Sequence, residues 1–225
     1  MERQERFMGS FAHELRTPMT AIIGYADLLR GQTLTPEEQR QAAAYIFSEG
    51  KRLENLSQKL LELLVLGRDE ADLQPASPSD IIKGLVSYMG PYYGEFGMEI
   101  ALDCQPGQCM LDAGLFRSLL VNLLDNARKA MEGRKGTVFI MCRMTKSGCR
   151  LSVSDRGRGI PEEALEHLTE AFYRADKSRA RAQGGAGLGL SLCREIVRLH
   201  SGSLRFESQV GVGTTVTAVL NGGRP

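Results

Sequence analysis

The first 68 residues carry their apolar side chains at helical intervals, and this spacing limits the possible folds more than any other feature of the chain. Phe7, Phe11, Leu15, Ile22, Ala26 and Leu29 recur at steps of four, four, seven, four and three, an amphipathic stripe of helical period. Gly31 to Leu34 interrupts it. Thr35-Pro36-Glu37-Glu38 then restarts a helix: Thr35 can N-cap, Pro36 suits the first helical position, and Glu38 completes a capping box. The second stripe, Ala42, Ile46, Leu53, Leu56, Leu60, Leu63 and Gly67, steps by four or three with one gap of seven. That is the rhythm of a bundle seam. Two helices joined by a short loop cannot enclose two apolar stripes. The expected solution is a homodimer in which a second hairpin completes a four-helix bundle. The alternative is a hairpin packed on the rest of its own chain.

The chain therefore divides into a helical hairpin (1–68), a linker (69–79, with Pro75 and Pro78) and a second domain (80–222). In the second domain the spacing predicts helices over 81–90, 115–131 and 190–200. It predicts strands over 98–103, 138–144, 151–154, 204–208 and 214–220. Helices on one face of a mixed sheet, an α+β sandwich, is the expected fold class.

Composition narrows the function. Twenty-eight basic residues against 27 acidic ones give a net charge of +1, which argues against a nucleic-acid partner. No run approaches the roughly 18 apolar residues of a membrane span. The five cysteines form no CxxC pair and are odd in number, so reduced thiols are expected rather than a disulfide framework. His13, His167 and His200 are the only histidines and show no metal-ligand spacing.

Three segments of the second domain carry suggestive chemistry. Asn122 and Asn126 stand four apart in a predicted helix, with Lys129 three further on the same side. Amides and an ammonium are costly to bury unless something polar meets them, and phosphate oxygens with Mg²⁺ would do so. A solvated helix face is the plain alternative. Asp155-Arg156-Gly157-Arg158-Gly159 follows a strand; its glycines permit close backbone approach, and Asp155 could accept a hydrogen bond from an exocyclic amine. Gly184-Gly185-Ala186-Gly187-Leu188-Gly189 opens a helix, whose N–H groups and positive end suit a triphosphate. No strand immediately precedes it and no lysine follows its glycines, so it is neither a Rossmann fingerprint nor a Walker loop.

In this order the three segments resemble the N, G1 and G2 boxes of the histidine kinase catalytic domain, within the wider superfamily of gyrase, the ninety-kilodalton heat-shock chaperone and the mismatch-repair ATPase. Phe172-Tyr173-Arg174-Ala175-Asp176 resembles the F box, and Phe11-Ala12-His13-Glu14-Leu15-Arg16-Thr17-Pro18 resembles the H box. The likeness covers about residues 5 to 220. It departs from the family in one place: Ala130 stands where an aromatic often follows the N-box lysine. ATP-hydrolysing clamps of the gyrase type lack an H box and usually carry a glutamate base where Asn122 stands.

The resemblance implies a protein histidine kinase of two-component signalling. ATP would phosphorylate His13, and the phosphoryl group would pass to an aspartate of a response-regulator receiver domain. Asp155 would recognise adenine, and Asn126 with Asn122 would hold Mg²⁺. Lys129 and Arg174 would contact phosphates, with Gly157, Gly159, Tyr173, Gly185, Gly187, Leu188 and Gly189 completing the ATP site. The linker would bend to bring ATP to the hairpin. His13 lies two residues from Phe11, about 200° around the helix and away from the seam. Neutral imidazole is a competent nucleophile near pH 7. Glu14 occupies the place of the family's catalytic base, although adjacent helical residues do not face each other. Thr17, at i+4 from His13, would position water for dephosphorylating the regulator, or else would simply bond to the backbone beside Pro18. The chain begins twelve residues before His13, so it is expected to be a cytoplasmic portion, with any sensor or membrane anchor outside it.

Overall fold

The computed structural model describes residues 2–66, 70–131, 133–175 and 187–222. Helices α1 (Glu2–Gly31) and α2 (Pro36–Leu66) form the hairpin. Antiparallel pairing follows from its cross-helix contacts: Tyr25 stacks on Tyr45 at 4.7 Å, and Arg52 reaches Glu14 at 3.5 Å. The capping box is reciprocal. The amide and hydroxyl of Thr35 donate to Glu38 Oε2 at 2.8 and 2.7 Å, while the Glu38 amide donates to Thr35 Oγ1 at 3.3 Å. α1 runs through Pro18, which is buried.

Leu56 is 3% exposed and Leu53, Leu60 and Leu63 are half-buried, so the predicted stripe already faces inward within one chain. A second set of apolar side chains does not. Met19 and Ile23 on α1, and Phe47, Leu61 and Leu64 on α2, stand open to solvent. Phe47 and Leu61 are two heptads apart, hence on one face.

The stretch expected to be a linker contains a short strand, β1 (Gln74–Ala76), and Ser77, whose hydroxyl caps α3 (Pro78–Glu95). β1 pairs antiparallel with β3 (Cys109–Leu111) in a two-stranded ribbon. The main sheet has the order β2 (Met98–Cys104), β4 (Gly136–Met144), β5 (Cys149–Asp155), β7 (Gly213–Leu220), β6 (Ser203–Gln209). β2–β4 is parallel and the other pairs are antiparallel, giving a mixed sheet. Strand alternation sorts its faces: Val138, Ile140 and Cys142 are buried, whereas Phe139 and Met141 between them are exposed. α3, α4 (Ala113–Met131) and α6 (Gly189–Leu199) cover the buried face; α5 (Glu162–Leu165) is a single turn. Phe116, Leu119, Leu120 and Leu124 of α4 are fully enclosed. Buried His200 is satisfied structurally, its Nε2 accepting from the Asp112 amide at 3.1 Å and its Nδ1 donating to the Ile196 carbonyl at 2.8 Å.

Candidate active site

α4 and the loop after β5 form the floor of a cavity of about 1120 Å³ whose other wall is α2 of the hairpin. At one end the lining is apolar, with Val153, Ile160, Leu168, Phe206 and Val216 around Asp155. The Asp155 carboxyl accepts the Gly157 amide at 2.8 Å. Burial pushes its pKa up, against backbone hydrogen bonds from Gly157 and Thr214 that oppose the shift. A half-buried carboxylate in an apolar slot keeps acceptor capacity beyond these two backbone donors.

The backbone explains both glycines here. Gly159 has φ +70°, and a Cβ on it would sit 2.0 Å from the Gln209 carbonyl oxygen. A Cβ on Gly157 would meet Ala130 at 2.6 Å. Ala130 and Gly157 thus fit one another at close approach, and the Arg158 amide donates to the Ala130 carbonyl at 3.1 Å. Gly157 braces the loop from behind and does not itself line the cavity; Gly159 does.

The opposite end is cationic. There Lys59 from α2 stands with Arg128, Lys129 and Arg174; Lys51, Arg52 and Arg158 are further cations of the lining, and Asp125 and Asp155 its carboxylates. The amide nitrogen of Asn126 is buried without a partner, as is Nε of Arg174. Burial first, then the charges of Lys59, Arg128 and Arg174, lower the pKa of Lys129, with Asp125 opposing. Crowded cations and an orphaned amide together suit an anion with several oxygens. Gly187, Leu188 and Gly189 lead into α6 on this wall. Gly185 lies outside the described residues, as does Asp176.

Asn122 is 5% exposed and is not part of the lining. Its amide donates to the Ser118 carbonyl at 2.8 Å, which aims Oδ1 at Lys59 Nζ, also at 2.8 Å. Among the described residues no group of three or more His, Cys, Asp or Glu could hold a metal ion. Mg²⁺ takes oxygen ligands, so the atoms these two asparagines would offer it are their amide oxygens, and that of Asn122 is engaged by Lys59.

The hairpin side chains meet this site through Glu14. Its Oε2 pairs with Arg174, a cavity residue, and lies 3.5 Å from Arg52, which also pairs with Glu49. Phe172 packs on Phe7 and Phe11 with ring centroids 5.3 and 6.4 Å apart, and it does so with φ +67°, a strained conformation for a phenylalanine. Tyr173 lines the cavity and its ring lies 5.4 Å from that of His167. His13 itself is exposed and outside the lining. Thr17 donates its hydroxyl to the His13 carbonyl at 3.3 Å. Sequence reasoning passed over Lys59 and Arg52, which stand three residues after and four before Leu56 at the edge of the apolar stripe, where they resemble solvated flanking charges.

Comparisons with known proteins agree with this anatomy. The family described as Histidine kinase-, DNA gyrase B-, and HSP90-like ATPase matches residues 111–223. The His Kinase A (phospho-acceptor) domain matches residues 3–64. Sensor histidine kinase YkoH of Bacillus subtilis is 36% identical over 221 residues, covering 96% of this chain and 47% of the relative. Sensor-like histidine kinase SenX3 of Mycolicibacterium smegmatis is 33% identical, covering 96% of this chain and 57% of the relative. The chain therefore spans about half the length of these relatives. Among solved structures, ShkA in complex with AMPPNP superposes with a TM-score of 0.70 at 27% identity, over 98% of this chain and 46% of that one. Histidine kinase ThkA in complex with response regulator protein TrrA gives 0.78 at 22% identity, over 97% of this chain and 64% of that one, and shows the shared fold.

Proposed function

The chain belongs to the sensor histidine kinases, and from that membership we propose that it binds ATP in the cavity and transfers the γ-phosphoryl group to its own His13. The observation that carries this reading is the Glu14–Arg174 ion pair. It ties the acid beside an exposed histidine to an arginine that lines the cationic end of the cavity, joining acceptor and donor sites that are 160 residues apart.

The apolar end with Asp155 suits adenine, its carboxylate taking the exocyclic N–H. The neighbour ShkA is in complex with AMPPNP, which supports an adenine nucleotide as the ligand. Lys129 and Arg174 take phosphate oxygens. Mg²⁺ held by Asn126 and Asn122 would neutralise phosphate charge. Transfer of this kind depends on positioning and charge neutralisation. A neutral imidazole nitrogen of His13 forms the N–P bond, the bond from phosphorus to the ADP oxygen breaks, and the imidazole proton leaves to Glu14. Arg174 and Arg52 both hold Oε2, which leaves Oε1 of Glu14 to take that proton. Family membership extends the reading to transfer from His13 to a receiver-domain aspartate. It extends also to dephosphorylation of that aspartate through Thr17, whose hydroxyl must first leave the His13 carbonyl. The exposed stripes of α1 and α2 support a homodimer. No helix among the described residues is long and apolar enough to cross a membrane.

Incubation with γ-labelled ATP tests the reading. The expected label is acid-labile and alkali-stable, and His13→Gln abolishes it with nucleotide affinity unchanged. Label that persists in the variant would overturn the assignment.

A further inference from the structure

Lys59 belongs to the hairpin, yet its ammonium sits inside the nucleotide site of the other domain. Nζ lies 2.8 Å from Oδ1 of Asn122, and the residue lines the cavity. A Cβ built on Gly189, the first residue of α6, would stand 3.7 Å from that nitrogen. The cation is thus held beside the N-terminus of an 11-residue helix, where the macrodipole is positive and a cation is disfavoured. Lys129 is a second positive neighbour, close enough for the charge of Lys59 to lower its pKa. The hydrogen bond Lys59 makes is to a neutral amide, which orients the ammonium without cancelling its charge. Three positive elements from three parts of the chain therefore converge on one spot. Such a convergence is relieved by an anion placed among them.

We infer that Lys59 is a phosphate ligand of the bound nucleotide, supplied across the domain boundary by α2. The phosphate end of the ATP site is then complete only while the hairpin is docked. This rests on the reading of the cavity as an ATP site. A metal ion on the Asn122 oxygen would repel the ammonium from it, and phosphate oxygens are the acceptors the site then offers. Docking of the hairpin and binding of the triphosphate reinforce one another, because each supplies what the other lacks.

The competing explanation is that Lys59 only fastens one domain to the other, in which case its loss would be indifferent to phosphate. Calorimetric titration of the whole chain with MgATP and with adenosine separates the two, using wild type, Lys59→Met and Lys59→Arg. A charged hydrogen bond of this kind predicts about a tenfold weaker MgATP affinity for Lys59→Met, unchanged adenosine affinity, and recovery of most MgATP affinity in Lys59→Arg. Equal or tighter MgATP binding by Lys59→Met overturns the inference, and so does a parallel loss for MgATP and adenosine. Failure of the wild type to bind either ligand would instead remove the ATP reading itself.

Discussion

The two halves of the molecule solve the same physical problem in opposite ways. The catalytic domain covers one face of its sheet with three helices and encloses Phe116, Ile82, Leu119 and Leu124 there at 0% exposure, while Phe139 and Met141 stay open on the other face. The hairpin has only two helices. It hides Leu56 at 3% exposure but leaves Phe47 at 68%, Ile23 at 64% and Leu61 at 59%. A sheet with one covered face is a closed unit; a helical pair with a stripe on each side is half of one. The difference teaches where each half obtains its stability. The catalytic domain draws on its own interior, and the hairpin draws on caps and on docking against the catalytic domain, with another copy added under the proposed dimer.

The largest effect that would break this comparison lies in the enclosed core. Phe116→Ala is expected to destabilise the catalytic domain by about 3–5 kcal/mol, through lost burial and a residual cavity. Chemical denaturation followed by circular dichroism measures it; a loss under about 1 kcal/mol would mean the interior is not closed around α4. Next comes the hairpin. Leu61→Ala removes apolar surface worth about 1.5 kcal/mol per copy if a second hairpin covers it, hence roughly 3 kcal/mol across a symmetric contact. Dimer dissociation should rise about a hundredfold, while the midpoint of the dissociated chain stays where it was. Sedimentation equilibrium decides, and an unchanged association constant would leave that face of α2 uncovered. Leu56 is no substitute for this test, since its side chain is already buried within one chain.

Local chemistry was legible in the sequence and long-range chemistry was not. Thr35-Pro36-Glu37-Glu38 specifies its own cap, because all the partners lie within four residues, and α2 starts at Pro36 as expected. The helices and strands of the catalytic domain follow from period, with ends shifted by a few residues. The β1–β3 ribbon was missed, since a three-residue strand carries no readable alternation. Asn122 shows the limit most clearly. Its side of α4 was readable from i,i+4 spacing, but its partner Lys59 stands 63 residues away, and no local rule links them. The same holds for Arg174 and Glu14, and for the mutual fit of Ala130 and Gly157. Tertiary packing chose those pairs.

The smallest effect sets the two halves against each other through a single carboxyl in each. Glu38, in the hairpin cap, has its pKa lowered, first by the backbone N–H of Thr35 and then by its hydroxyl. Both donors favour the charged form. Its contribution to hairpin stability is therefore fully present above the unfolded carboxylate value and is lost as pH falls through the lower folded value. Asp155, in the catalytic domain, is raised by burial, so its ionised form costs the folded state something at neutral pH. That cost disappears as pH falls through the raised value, because the native state takes up the proton first. Acidification thus weakens the hairpin cap while relieving the strain of the ionised Asp155 in the catalytic domain. Under the proposed adenine contact, protonating Asp155 also removes its acceptor, so nucleotide affinity should begin to fall above the ordinary carboxylate range. Carboxyl chemical-shift titration of the nucleotide-free chain is expected to place the Glu38 midpoint below that range and the Asp155 midpoint above it. Two midpoints displaced in the same direction would break the contrast, since an open cap and a buried slot must shift a carboxyl oppositely.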